Sequence, residues 1–212
     1  MLTQKKYIIL GIGTDIGKTF LVEKLCEKFP LAKAVKPIAT GFSKDDQHSD
    51  SYRIQKALKK NNQNFLLNEI TPFAYEQASS PHLVASIDYS KIVEFCLHEI
   101  NLADQKKSHL FIESAGGVMT PINFNKTYLD LTKDIGINVL LVSSNYLGAI
   151  SHTLTAVTAL NANKITVEKI FINEDLNKSQ NFFKNYGDIE FNDMAKTIES
   201  FTKIPVLSLR NL

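Results

Sequence analysis

Two features predict an α/β protein with a mostly parallel central sheet and helices on both faces. Apolar, β-rich runs recur along the chain and alternate with stretches of helical spacing. The first run, YIIL (7–10), enters a glycine-rich loop that closes with Gly17-Lys18-Thr19. The loop opens directly into an amphipathic stretch with Leu21, Leu25 and Phe29 on one helical face.

The strands expected after YIIL are KAVKPI (33–38), HLFIE (109–113), NVLLVSS (138–144), KIFIN (169–173) and IPVLSL (204–209). Helical patterns fall at 50–60, 92–103, 151–161 and 191–201. A parallel sheet binds ligands beyond the carboxyl ends of its strands. Lys36, Glu113, Ser144, Asn145 and Asn173 all fall at such ends, so they should gather on the edge that carries the glycine loop. There is no repeat and no linker long enough to divide the chain, which reads as one domain over 1–212. The polar stretch 173–188 reads as a surface loop with a short helix.

Glycines between strand and helix let backbone amides close around an anion, and the first amides of the helix point at it. Lys18 would then reach the outer phosphates of a nucleotide, and the Thr19 hydroxyl would hold Mg²⁺. The strict phosphate-loop spacing places four residues between its glycines; here five separate Gly11 from Gly17. The alternative, a plain glycine turn, leaves the lysine and threonine at this junction without a reason. The expected class is P-loop NTPase-like.

Composition narrows the choice of partners. The chain has 212 residues, enough to bury a sizeable core, and a net charge of only +2, dispersed over the sequence. Nucleic acid is not expected as a partner; Lys59-Lys60 and Lys106-Lys107 read as solvated helix ends. No apolar run approaches the ~18 residues of a membrane span, and the basic start leads at once into the loop, unlike a signal peptide. Cys26 and Cys96 sit at apolar helical positions without metal-like spacing, so buried thiols in a reducing cytoplasm are expected.

Other residues carry chemistry of their own. Glu113, at a strand end before SAGG, can bind Mg²⁺ directly or through water, and Gly116-Gly117 would let amides approach a γ-phosphate. Asp50 starts a helix and serves either a metal or, with Ser49, as an N-cap. Lys36 puts an ammonium at the end of an apolar strand, suited to face a transferring phosphoryl group or a carboxylate-like substrate. Pro81 fits the first position of a short helix after Ser80. His82 is a minor catalytic candidate and more often a capping or packing residue, His152 reads the same way, and His48, His98 and His109 form no ligand pattern.

Taken in order, Gly11-x5-Gly17-Lys18-Thr19, Lys36-Pro37-Ile38-Ala39-Thr40-Gly41, Ser49-Asp50, Ser80-Pro81-His82, Glu113-x-Ala-Gly-Gly117 and Leu147-Gly148 resemble the dethiobiotin synthetase family. The resemblance runs from residue 7 to about 175, and the family shares the five-residue loop spacing. It implies an ATP- and Mg²⁺-dependent cyclo-ligase of biotin synthesis, acting as a homodimer. In that family 7,8-diaminononanoate and CO₂ form a carbamate, which takes the γ-phosphoryl group of ATP. The second amine then closes the ureido ring, giving dethiobiotin, ADP and phosphate.

By the same resemblance Lys18 and Lys36 are catalytic, and Thr19, Asp50 and Glu113 hold Mg²⁺. Gly13, Thr14, Asp15, Ile16, Gly17, Lys18, Thr19 and Phe20 bind the nucleotide, with Asn173 on its base. Thr14, Thr40, Ser80, Pro81, Gly116, Gly117, Leu147, Gly148 and Ser151 bind the diamine. Ser151 stands where the family often has asparagine, near the helix start that receives the substrate carboxylate from the partner subunit. Ile12-Gly13 replaces a common Thr-Asp, while Thr14 and Asp15 keep a hydroxyl and an acid. The family usually continues past the Ile-Pro strand and folds over the base, whereas this sequence ends seven residues after Pro205. The purine is therefore expected to be loosely held.

Rival readings fit less well. Regulatory ATPases of this fold usually carry an extra lysine early in the loop, and GIGTDI has none. An amidating ligase of the cobyrinate type would need a further glutaminase domain. A non-catalytic nucleotide-binding module would leave most of these motif positions without a purpose.

Overall fold

The computed structural model describes residues 2–43, 45–84, 86–174 and 190–212. Six parallel strands form the central sheet: β1 (Lys6–Gly11), β2 (Lys33–Val35), β5 (Leu110–Gly117), β8 (Asn138–Ser144), β9 (Val167–Asn173) and β10 (Val206–Ser208). Their spatial order is β10-β9-β8-β1-β5-β2, so β1 lies inside the sheet, between β5 and β8. Successive side chains of a strand point to opposite faces. Tyr7 and Ile9 accordingly enter one apolar cluster, Ile8 and Leu10 the other, and all four are fully buried.

The helices cover both faces. α1 (Lys18–Lys28) and α2 (Asp50–Lys60) pack on the Tyr7 side through Leu21, Val22, Leu25, Ile54 and Leu58. α5 (Tyr89–Lys106), α6 (Tyr128–Ile135), α7 (Ala149–Ala162) and α8 (Phe191–Thr202) cover the Ile8 side. Two four-residue helices, α3 (Leu67–Ile70) and α4 (Pro81–Val84), lie in the connections; Pro81 opens α4, as its position after Ser80 predicts. Cys26 and Cys96 are buried free thiols, and the paired lysines sit at the ends of α2 and α5.

Two strands differ from expectation. KAVKPI is not one strand: it breaks at Lys36-Pro37 into β2 and β3 (Ile38–Thr40). Proline has no N–H to give a ladder, and the Lys36 amide turns away to the Ile70 carbonyl, 3.0 Å off. β3 then pairs with β4 (Phe73–Tyr75) in a separate two-stranded sheet. The second difference is SAGG, which does not turn after Glu113 but continues β5 to Gly117, in register with Gly11. A small antiparallel pair, β6 (Pro121–Asn123) and β7 (Lys126–Thr127), follows it.

The N-terminal arm is tied across the sheet. Thr3 donates to Glu168 from its amide (2.7 Å) and its hydroxyl (2.5 Å), and the Tyr7 hydroxyl donates to the same carboxylate at 2.6 Å. The polar stretch expected as a surface loop lies, beyond Glu174, outside the described residues. Among the described residues no helix is long and apolar enough to cross a membrane.

Candidate active site

The loop after β1, the carboxyl end of β5, the starts of α1 and α2, and β3 surround a cleft of about 930 Å³. Thr14, Asp15, Ile16, Gly17, Lys18, Thr19 and Phe20 line it, together with Thr40, Ser80, Pro81 and Gly116. Lys36, Asp50, Glu113 and Asn173 also face it.

Glycine and two side-chain hydrogen bonds set the shape of the loop. Gly17 precedes α1 with φ 101°, a left-handed conformation open to glycine, and starts the helix without a capping side chain. A Cβ at Gly17 would stand 2.5 Å from Asn173 Nδ2, whose amide donates to the Ile16 carbonyl at 3.2 Å. The base-side asparagine of the sequence reading thus braces the loop itself. Lys18 is 6% exposed and donates to the Gly13 carbonyl at 3.0 Å, which folds the side chain back over the loop. Burial lowers its pKa to about 8, only partly opposed by the Glu113 charge.

At the centre Lys36 Nζ donates to Glu113 Oε1 at 2.9 Å and to Asp50 Oδ2. The break after β2 puts it there: released from the ladder, the ammonium projects from the strand end between β5 and the first turn of α2. Burial works against its charge, but Glu113 and Asp50 outweigh burial and raise its pKa. For Asp50, burial raises the pKa and Lys36 more than reverses it, so the carboxyl is held below its ordinary value. Ser49 is the N-cap of α2 but makes no side-chain cap bond, and the Asp50 carboxylate goes to the cleft.

Thr19 Oγ1 donates to Glu113 Oε1 at 2.8 Å and also lies close enough to lower the Asp50 pKa. The other Glu113 oxygen, Oε2, is buried and has no hydrogen-bond partner among the described residues. A fully buried carboxylate with one empty oxygen, beside a hydroxyl and a second carboxylate, has the hard oxygen donors that suit Mg²⁺. No three His, Cys, Asp or Glu side chains among the described residues cluster to hold a metal unaided. Mg²⁺ at this place would need further oxygens, of the kind that nucleotide phosphates offer.

Gly117 does not line the cleft; its amide donates to Thr120 Oγ1 at 2.8 Å. Gly13 is likewise set back, presenting its carbonyl to Lys18. Leu147, Gly148 and Ser151 are not in the cleft of their own chain: Gly148 precedes α7, and Leu147 and Ser151 are exposed. His82 packs, as expected, with Nδ1 2.9 Å from Ser80 Oγ and its ring edge-on to Phe124. Sequence reasoning missed Arg53, Phe42, His48 and Thr120, which also line the cleft. Arg53 had a signal: it follows Asp50 by three residues on the same helix, and so shares its face.

A glycine loop from strand to helix, a lysine folded over it and a threonine beside a strand-end carboxylate define a P-loop NTPase-like α/β protein. Solved structures agree on the fold alone. MinD from Aquifex aeolicus superimposes with a TM-score of 0.52 at 11% identity, covering 96% of this chain and 80% of that one. FtsY from Physcomitrella patens gives 0.52 at 13%, covering 97% and 58%. The family model described as AAA domain matches residues 5–209. ATP-dependent dethiobiotin synthetase BioD of Legionella pneumophila strain Paris is 36% identical, over 98% of this chain and 93% of its own length. That of Caulobacter sp. strain K31 is 36% identical over 79% and 75%. The chain belongs to the ATP-dependent dethiobiotin synthetase family.

Proposed function

We propose that the cleft joins 7,8-diaminononanoate and CO₂ into the ureido ring of dethiobiotin at the expense of ATP, the whole chain acting as one ligase domain. The observation that carries this is the Lys36 ammonium, buried between Glu113 and Asp50 in the same cleft that Lys18 and Thr40 line. A positive charge fixed there serves a carbamate oxygen and a departing phosphoryl group alike.

One amine of the diamine adds to CO₂ and loses a proton, giving a carbamate. A carbamate oxygen attacks the γ-phosphorus, the bond to the β-phosphate oxygen breaks, and ADP leaves. The second amine attacks the carbonyl carbon of the mixed anhydride, loses a proton and expels phosphate as the ring closes. Little of this needs a strong acid or base, because phosphate is a good leaving group; positioning and charge dominate. Lys18 and the loop amides receive charge on the β- and γ-phosphates. Lys36 holds the carbamate in line, and Thr40, Ser80 and Pro81 flank the diamine. Thr19, Asp50 and Glu113 would hold Mg²⁺, which supplies positive charge to the same phosphate oxygens.

Leu147, Gly148 and Ser151 stay outside the cleft of their own chain. The reading therefore extends to a homodimer, in which a second copy presents the start of α7 to the substrate carboxylate. The test is direct. Purified protein with ATP, Mg²⁺, bicarbonate and the diamine should yield dethiobiotin by mass spectrometry, with one ADP per product. ATP hydrolysis without that product overturns the reading.

A further inference from the structure

α1 and α2 start at the cleft and run side by side, and polar pairs line the seam between them. At the cleft end stand Thr19 of α1 and Asp50 of α2. One turn along, Arg53 donates to Glu23 from Nε to Oε1 at 3.1 Å and from Nη2 to Oε2 at 2.5 Å. Near the far end Lys60 Nζ reaches Glu27 Oε1 at 2.9 Å. Residues three or four apart share a helix face, so Glu23 stands directly behind Thr19 and Arg53 directly behind Asp50.

The middle pair differs from the last in geometry and burial. Lys60 and Glu27 are a single-point contact with side chains 59% and 42% exposed. Arg53 and Glu23 are 37% and 25% exposed and meet fork to fork. A guanidinium bound through two nitrogens fixes direction as well as distance, which a lysine contact does not.

We infer that the Glu23–Arg53 pair is a positioning clamp, setting the separation of Thr19 and Asp50 and so the fit of Mg²⁺ between phosphates and protein. The inference rests on the proposed role of Thr19 and Asp50 in holding Mg²⁺. Neither clamp residue need touch the metal. Arg53 lines the cleft, but both its donated bonds run away from it, to α1.

The clamp predicts a selective defect. Phosphate binding by the loop amides and Lys18 lies within α1 and the loop before it, whereas bringing in Asp50 requires α2 to be held in place. Calorimetry with a nonhydrolysable ATP analogue, once in excess Mg²⁺ and once in EDTA, separates the two. In Glu23→Gln the affinity in EDTA should stay within about twofold, while the gain on adding Mg²⁺ falls about fivefold, as much as a part-exposed pair can supply. The exchanged pair Glu23→Arg with Arg53→Glu should recover most of that gain. An equal loss in both media would show that Glu23 merely supports α1, and an unchanged Mg²⁺ gain would show that the pair is idle; either overturns the clamp. If the unmodified protein gains nothing from Mg²⁺, the metal reading falls and the clamp with it. If the gain is normal there but insensitive to Glu23, the clamp alone falls.

Discussion

Lys36 Nζ and Glu113 Oε1 lie 2.9 Å apart with the lysine side chain 8% exposed and the carboxylate wholly buried. Such a pair is costly to break from one side, by about 3–5 kcal/mol, because the remaining charge is stranded. Lys36→Gln would leave Glu113 and Asp50 facing each other. We expect a loss of about 3 kcal/mol in urea unfolding without metal, and a clearly smaller loss in excess Mg²⁺. Nucleotide affinity should stay within a few-fold while turnover falls at least about a hundredfold, since the charge is wanted as the phosphoryl group transfers. Lost nucleotide affinity with normal turnover at saturation would contradict the role.

Lys18 should behave in the opposite way towards stability. Its ammonium is buried, and its hydrogen bond is to a carbonyl. Lys18→Ala should leave the melting temperature unchanged or raise it, since a charge held out of water is removed. Turnover should fall by about a hundredfold to a thousandfold. Near-normal ring closure by the folded variant would refute the phosphate-loop assignment.

Gly17 and Gly148 offer a matched pair. Both precede a helix with nearly the same φ, 101° and 99°. Alanine at either position suffers backbone strain of about 1–2 kcal/mol. Only at Gly17 would the new methyl also strike a side chain, Asn173, at 2.5 Å; at Gly148 the nearest atom is 3.8 Å away. Gly17→Ala should therefore be less stable than Gly148→Ala and should bind the ATP analogue more weakly. Equal stability, with binding equally intact in both, would mean that Asn173 does not brace the loop.

The Glu168 carboxylate tests the N-terminal tie. Burial raises its pKa, but hydrogen bonds from Thr3 and Tyr7 outweigh this and hold it below its ordinary 4.5. A carboxyl with a depressed folded pKa adds stability above its unfolded pKa and loses it as pH falls through the folded one. Glu168→Gln should cost about 1 kcal/mol at neutral pH, the value being held down by partial exposure. The gap to the unmodified protein should close as pH falls below 4.5. A gap independent of pH would assign the tie to packing instead of charge.

Much of the site is written locally, and that part was legible. The glycine loop, Lys18, Thr19 and Glu113 declare themselves by residue type at a strand end, and the parallel sheet brings the ends together. Lys36 stood out because an ammonium closes an apolar strand; that two carboxylates hold it needs the third dimension. The strand break was marked by Pro37, yet the apolar residues on both sides read as continuous. The Glu23–Arg53 pair spans 30 positions, and nothing local distinguishes that glutamate from the other charged residues of α1. Leu147, Gly148 and Ser151 are a different case: they lie outside the cleft of their own chain, and only the proposed second copy would give them a place in a site.

The break at Pro37 also divides the labour of the protein. β3 and β4 are an outrigger, bonded to each other and excluded from the six-stranded ladder. Thr40 and the turn into Gly41 ride on that outrigger, whereas Lys18, Thr19 and Glu113 ride on the main sheet and its first helix. A residue inserted into a central strand would flip every later side chain to the wrong face. The same insertion in the outrigger leaves the register of the ladder alone. The residues proposed to flank the diamine from β3 can thus be redrawn, by mutation or by design, without disturbing those proposed to handle phosphate.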